Sequence, residues 1–574
     1  MLKKLEGGHD FMKKDMLLLV GLIWAVSAFG KLPIPDADDD GLVLPPGFHA
    51  LVYTDHPDIG TTPGKKLEHL RGLAVAPNGD VYAKDHYGQI YALRDTNGDG
   101  RADVIAQFGP GDGGTHIMFH GGYLYHSSRT AVYRYKYIPG ELVPSSPQEI
   151  MVRDLPAERD HDQKAFAFDE SGNMLVEVGS PYNVFSHPDR QFGAKGGTRE
   201  EVEKFQETHG GFWQFDADKT NQTLADGVRF STGHRHSLAL VWQPVAKSFF
   251  MCMMGRDNLN IIDPGDYDVL DNAERVAEEF HRLQKGANLG WPYSYWDPYK
   301  NARMLAPEYG GDNRKRADDP AFDPPLIAFP AHWAPLQMCL YDGTQFPEYY
   351  HNGMFLAFHG SWNRAPLPQA GYKVVFIPFN AQGMPAGKWD NFIEGIPGAQ
   401  FYAKGSGASH RPCGVAVGPD GSLYVSDTEK GRIWRIIYTG DKTMASRNNF
   451  AMPAVAAAGA SPADETKIPV NGIFNTVCAA CHMADGRGVP SMHPALAGGN
   501  PIVAGDATQL INLLLKGPAA VLPADRAKYT GTMPPFNILS DADIAGVINY
   551  LRDRFAPGGA RVTPGQVAAQ RAKL

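Results

Sequence analysis

Between about Leu70 and Ile437 the chain keeps repeating one pattern: an apolar run, a turn of Pro, Asp, Asn and Gly, a second apolar run, then a polar loop and a third. Three copies carry it plainly: RGLAVAPNGDVYAKDHYGQIYAL at 71–93, KAFAFDESGNMLVEVGS at 164–180 and CGVAVGPDGSLYVSDTEKGRIWRI at 413–436. Short apolar runs bounded by such turns predict strands, and the turn residues supply the backbone angles of a tight reversal. Weaker copies lie at 116–135, 237–255 and 352–363. Six imperfect copies at wide, loop-broken spacing predict a mainly β fold, a six-bladed β-propeller over residues 42–438. One β-sandwich is the alternative, but it holds fewer hairpins than are spread over this stretch.

The pattern stops at Thr439. Residues 439–466, including AMPAVAAAGASPADETK, are rich in Ala and Pro without periodicity and read as a linker. Residues 467–556 then predict a small all-α domain, with 557–574 as a C-terminal tail. Its last helix is marked by Ser540 as N-cap, Asp541 and Asp543 in the first turn, and Ile544, Val547, Ile548 and Leu551 on one face. At the other end, Lys13 and Lys14 precede an apolar run from Met16 to Phe29, closed by Ala28-Phe29-Gly30. This predicts a secretory signal over 1–30 and hence a periplasmic location. The run is shorter than the roughly 20 residues of a membrane span, and an uncleaved anchor is the alternative.

Composition adds little to this picture. Of 574 residues 43% are hydrophobic and 20% charged, as in soluble globular proteins of more than one domain. The net charge of −9, with basic residues scattered, argues against a nucleic-acid partner.

The chemistry begins at NTVCAACHMADGRG, 475–488. Cys478-Ala-Ala-Cys481-His482 has the spacing of covalent c-type haem attachment, with two thiols to meet the vinyl groups and His482 to bind iron. A zinc half-site or redox pair would lack a second ligand pair and leave His482 without a purpose. Met533, in GTMPPF before the last helix, is the expected sixth ligand, with Met492 and His493 as rivals; Met483 is too close to His482 to cross the ring. Export agrees with such attachment. Cys252, Cys339 and Cys413 are odd in number, so at least one stays free within the chain. With Gly472, Phe474 and Pro494 in place, residues 468–556 resemble a class I cytochrome c.

A haem moves single electrons, so the rest of the chain should supply or receive them. Three stretches carry a second resemblance: RDHDQKAFAFDESG at 159–172, GHRHS at 233–237 and GANLGWPYSYWDP at 286–298. Over most of 42–437 the chain resembles the soluble pyrroloquinoline quinone (PQQ) sugar dehydrogenases, particularly their sorbosone dehydrogenase-like branch. The resemblance implies His161 as general base, with Asp160 or another carboxylate to orient it, since the family's own carboxylate falls on Ser180. It implies Arg235 and Arg411 as cofactor arginines. A further arginine is replaced by Cys413, for which Arg71 and Arg364 are substitutes; His236 stands where relatives carry asparagine, and the family's lysine has no counterpart in FHGSWNR. It also implies calcium, through the carbonyls of Gly255 and Arg256, with Glu278 and Glu279 near a further site.

Separately, DTNGDGRAD sets Asp95, Asn97, Asp99 and Asp103 at calcium-loop spacing, but the twelfth position is Ala106. It is no EF-hand, and a polar hairpin or a second metal site are both open. The aromatic stretches AHWAPLQMCLYDG (331–343) and WPYSYWDP (291–298) are expected to line the pocket.

Together these readings describe a quinohaemoprotein dehydrogenase. A sugar, sugar aldehyde or other alcohol would give two electrons to PQQ, which pass singly to the haem and on to a cytochrome, copper protein or oxidase. A flexible linker would let the small domain approach the cofactor mouth without a fixed interface. The alternative is a non-catalytic propeller that binds a partner or glycan, with the haem as relay or sensor. Haem-containing nitrite reductases are similar only in pairing a propeller with a cytochrome c, and the adjacent Cys-Cys pair of eight-bladed PQQ alcohol dehydrogenases is absent.

Overall fold

The computed structural model describes residues 32–442 and 468–574, apart from 56, 59–65, 159, 368, 395, 397–407, 409, 489–492, 525–528 and 530–532. The expected signal segment, Met492 and nearly all of the linker lie outside the described residues. Among those described, six antiparallel-built sheets form the blades of a propeller. Blade one is Leu70–Val75, Val81–Asp85, Ile90–Arg94 and Val104–Phe108, and blade two is Ile117–His120, Tyr123–Ser127, Val132–Lys136 and Glu149–Val152. Blade three is Phe166–Phe168, Asn173–Val178, Gly211–Asp216 and Val228–Thr232, extended in parallel by Ala287–Asn288. Blade four is Ala239–Gln243, Ser248–Met253, Glu278–Leu283 and Ile327–Phe329. Blade five is Pro335–Leu340, Met354–Phe358, Lys373–Ile377 and Asp390–Ile393.

Blade six takes Pro412–Val417, Leu423–Asp427 and Ile433–Tyr438 from the end of the propeller and Phe48–Thr54 from its start, so the two ends zip together and close the ring. Closure leaves no long open edge. The first strand of each blade lies nearest the axis, where neighbouring first strands pack side by side. Gln337 of blade five pins blade one there: its amide accepts from Leu73 N and donates to Leu73 O, both at 2.9 Å.

Two sequence expectations move. The copy at 352–363 begins on the second strand of blade five, because the first is Pro335–Leu340, inside the stretch expected to be a pocket loop. Proline heads that strand, where no ladder hydrogen bond is lost, and it disguises the strand in the sequence. Residues 557–574 are no loose tail: helix Pro564–Arg571 buries Val567 completely, and Arg571 donates to Asp541 at 2.8 Å and to Leu539 O at 2.6 Å.

The helical domain is otherwise as expected. Ser540 caps helix Asp541–Phe555, whose Ile544, Val547, Ile548 and Leu551 are buried. Phe474 packs against Tyr550 and Phe555 with ring centroids 5.1 and 5.7 Å apart. Leu270, Ala273 and Leu367 of the propeller belong to the same apolar cluster as this domain's core, so the two domains share a packed face where a free tether was expected. No helix among the described residues is long and apolar enough to cross a membrane.

Burial pushes several propeller histidines down. His116 falls to about 4, and His126, His234 and His359 lie well below the ordinary imidazole value. A histidine buried neutral lets the unfolded chain bind the extra proton first, so its stabilising share is complete above about pH 6.5 and is lost as pH falls below it, at up to about 1.4 kcal/mol per pH unit each. Thermal melts should therefore be level from pH 8 to about 6.5 and drop steeply between about 6.5 and 4. A melt temperature unchanged at pH 5 would contradict this.

Candidate functional site

All six axial strands begin on the same face of the ring, so residues at or just before their starts converge on one mouth. From blade three comes His161, from blade four Arg235 and His236, from blade six Arg411 and from blade one Arg71. His161 adopts φ +54°, a left-handed backbone that non-glycine residues rarely take. Its Nδ1 donates to the Ser180 carbonyl at 2.5 Å, which leaves Nε2 as the acceptor. Gly179 makes this approach feasible, because a Cβ there would stand 2.8 Å from the His161 carbonyl and 2.8 Å from Glu177 Oε1.

The His161 ring stacks on His236 with centroids 4.6 Å apart. His236 Nδ1 lies 3.2 Å from Oε1 of the fully buried Glu177, which also accepts from Ser237 N at 3.2 Å. Burial first, then the charges of Arg235 and His236, hold His161 well below its ordinary value, so the ring is neutral. Asp160 does not orient it: that carboxylate lies 3.9 Å from Arg190 instead. The orienting partner is a backbone carbonyl, and the supporting carboxylate is Glu177. Sequence reasoning missed Glu177, although an acid within MLVEV was a signal.

Asp257, also missed, is the hub of the site. It accepts from Arg235 Nη2 at 2.6 Å, Arg190 Nη1 at 3.0 Å and Asn363 Nδ2 at 2.6 Å, with His332 Nδ1 at 3.4 Å. Burial alone would raise its carboxyl, but Arg235, His332 and Arg190 outweigh burial and hold it far below the usual range. Arg71 reaches His359 at 3.3 Å, and Arg411 reaches Gln369 and the Tyr372 hydroxyl at 3.3 and 3.4 Å. The Nε atoms of Arg71, Arg235 and Arg411 are nevertheless buried without a hydrogen-bond partner among the described residues. Arg229 on the outer strand of blade three and Arg303 beside Glu279 also carry such an Nε, so it is the gathering of three arginines at one mouth that suits a polyanionic guest. PQQ, with its carboxylates, fits that donor set.

Other expected contacts are not brought together. Arg364 is locked away from the mouth, donating to Glu274 Oε1 at 2.5 Å and Ala273 O at 2.6 Å, with no exposed surface on either charged side chain. It is a structural ion pair; its neighbour Asn363 is the one that touches Asp257. Glu278 and Glu279 are consecutive in a strand and face opposite sides. Glu278 accepts from Gly255 N and Ala334 N and is pushed up to about 7 by burial, whereas Glu279 is held by Arg303 at 2.7 Å and His281 at 3.1 Å. The Arg256 side chain is paired with Glu308 at 2.5 Å. Glu279 is thus spent on an internal ion pair, while Glu278 accepts from backbone donors beside Gly255, so the two do not share one site. In the 95–103 loop, Asp95 accepts from Gly98 and Gly100, and Asp103 from Thr96, bonds that a polar hairpin and a metal loop both make.

Cys478, Cys481 and His482 open onto a cavity of about 700 Å³ in the helical domain, together with His493, Leu514 and Met533. That volume falls among cofactor pockets, roughly 300–1,000 Å³, and its walls are mainly apolar, so a haem fits. His482 Nδ1 donates to Pro494 O at 2.8 Å, which fixes the ring and leaves Nε2 for iron. Met533 and His493 both line the cavity; Met483 does not. In the haem-loaded protein Met533→Ala should abolish the low-spin, methionine-ligated absorption signature and lower the reduction potential. A methionine-ligated signature that survived the substitution would move the sixth ligand to Met492, and a bis-histidine signature would move it to His493.

A family model described as TrAA12-like matches residues 64–439, and one for cytochrome c matches 470–554. The chain is 33% identical over 206 residues to a pyrroloquinoline quinone-dependent pyranose dehydrogenase of Coprinopsis cinerea, an alignment covering 29% of this chain and 27% of that one. It is 40% identical over 93 residues to the cytochrome c subunit of a Gluconobacter oxydans quinone alcohol dehydrogenase, covering 16% and 18%. It is also 35% identical over 118 residues to cytochrome c-552 of Thermus thermophilus, covering 17% and 90%. The chain spans half or less, 18% to 50%, of the length of the first curated relatives it matches. The PQQ domain of the Coprinopsis cinerea pyranose dehydrogenase superposes with a TM-score of 0.54 at 19% identity, covering 69% of this chain and 97% of that one. At such identity the likeness speaks for the fold alone.

Proposed function

Because the chain belongs to the TrAA12-like oxidoreductase family and carries a cytochrome c domain behind it, we propose that it is a quinohaemoprotein dehydrogenase acting on a sugar, sugar aldehyde or related alcohol. Electrons would pass one at a time to the covalently held haem and then to an external cytochrome, copper protein or oxidase. The observation that carries the reading is the mouth itself: a neutral His161, oriented through Nδ1 so that Nε2 is the acceptor, with Arg71, Arg235 and Arg411 gathered around it. A relative named as a PQQ-dependent pyranose dehydrogenase supports the choice of cofactor and of a sugar-like substrate. The signal-like segment at 1–30 and the CXXCH motif support export to the periplasm.

PQQ, when bound, supplies an o-quinone that takes up the hydride. Arg71, Arg235 and Arg411 would hold its carboxylates, with Asp257 fixing the plane of Arg235. Calcium, if present, would be held through the carbonyls of Gly255 and Arg256. His161 removes the substrate hydroxyl proton at Nε2, and the Ser180 carbonyl keeps the other nitrogen protonated throughout. The imidazolium so formed sits over His236, whose contact with the Glu177 carboxylate offsets the added charge. His482 and Met533 would hold the iron that accepts each electron.

The test supplies PQQ and calcium to the haem-loaded protein and follows the haem bands with aldoses, sorbosone and simple alcohols. His161→Ala should slow haem reduction by about 10²–10⁴-fold while leaving the haem spectrum intact. Wild-type protein that reduces its haem with none of these substrates would favour the non-catalytic binding module. The depressed His161 value has a kinetic counterpart. The acid limb of kcat/KM should fall below pH 6.5, since the base stays neutral down to its lowered pKa; a limb above 7 would contradict the assignment.

A further inference from the structure

The shared face between the two domains has a built joint. Gly472 lies in helix Val470–Ile473, and a Cβ added there would stand 2.6 Å from Cε1 and 3.1 Å from the hydroxyl of Tyr299, a propeller residue. The crossing of this helix with Asp541–Phe555 uses a different glycine, Gly546, against which Val470 packs. Gly472 is therefore spent on the propeller, not only on the cytochrome core that its place in the sequence suggested.

Tyr299 is itself anchored. Its hydroxyl donates to Glu274 Oε2 at 3.0 Å, and Glu274 Oε1 receives Arg364 at 2.5 Å in an ion pair without exposed surface. Glu274 ends the short helix Val269–Glu274, whose Leu270 and Ala273 join the apolar core of the cytochrome domain, as does Leu367. The same ledge reaches the mouth: Asn272 Nδ2 donates to Asn363 O at 2.9 Å, and Asn363 Nδ2 donates to Asp257 Oδ1 at 2.6 Å. At the rim Arg487 stands 3.9 Å from Glu394.

We propose that Tyr299, seated against Gly472, locks the cytochrome domain onto the propeller in one orientation, and that electrons leave the propeller site within this docked assembly. The electron-transfer half rests on the dehydrogenase reading; the docking half does not. A ring in a glycine notch, backed by a buried ion pair, is a shape-specific contact, which a domain roaming on a tether would not need.

The test uses full-length, haem- and PQQ-loaded protein and three variants: Gly472→Leu, Tyr299→Ala and the double variant. Small-angle scattering reads docking. Reduction by a panel of aldoses, sorbosone and ethanol is followed at the haem and, separately, with a phenazine dye that takes electrons directly from the propeller. Wild type should scatter as one compact body. Gly472→Leu should expand it and slow haem reduction by about tenfold or more, with dye turnover unchanged within about twofold. The double variant, whose added leucine fills the space left by the ring, should recover both. Should Gly472→Leu fail to take up haem, Tyr299→Ala, which leaves the cytochrome sequence untouched, should still expand the scattering and slow the haem. Wild-type scattering that requires a spread of domain positions would overturn the proposal, as would an expanded variant whose haem is reduced at the wild-type rate. Compact wild type that reduces neither haem nor dye would uphold docking and overturn the dehydrogenase reading.

Discussion

A carboxylate taken out of water persists only where cations and donors replace its hydration. Asp257 is such a group, 5% exposed, and its partners come from four separate stretches: Arg190, Arg235, His332 and Asn363. Satisfying it fixes the side chain of Arg235, and with it one wall of the mouth. Asn363 leads on to Asn272 and the ledge that carries the cytochrome domain. One buried charge thus ties the proposed oxidation site to the face through which its electrons would leave. Replacing Asp257 would strand Arg235 as a buried cation, while the half-buried Arg190 would keep Asp189 beside it at 3.5 Å, so the role of Asp257 is structural and electrostatic together.

The division of labour between the domains follows from their interiors. The propeller mouth is lined with charge, imidazoles and guanidinium groups, which suits a polyanionic cofactor and proton removal. The helical domain offers a mainly apolar cavity with one oriented histidine, which suits a haem whose potential a thioether would raise. Neither interior could serve the other's purpose. Their joining in one chain makes the second electron carrier a resident neighbour and not a diffusing partner.

Local signals in the sequence were read well where chemistry is local. The strand-turn-strand repeats, the CXXCH spacing and the Ser540 cap each depend on residues a few positions apart, and each stands in the structure. His161 and Arg235 came from the family resemblance that the motifs around them carry, and they meet at the mouth. What stayed hidden depends on distance along the chain: Glu177 meets His236 59 residues on, and Asp257 meets Asn363 106 residues on. Arg364 misled because the short turn Trp362–Arg364 points neighbouring side chains in different directions, leaving Asn363 at the mouth. That Glu278 and Glu279 could not share one site was legible in the sequence, since consecutive strand residues face opposite sides.

In the proposed function, electrons from substrate oxidation reach the haem inside the same chain. The direct measurement is stopped-flow haem reduction by a turning-over aldose, repeated over a wide range of protein concentration at fixed, saturating substrate. Transfer within one chain gives a first-order rate constant independent of protein concentration. A rate constant that rises in proportion to protein would mean that electrons travel between molecules, and would contradict it.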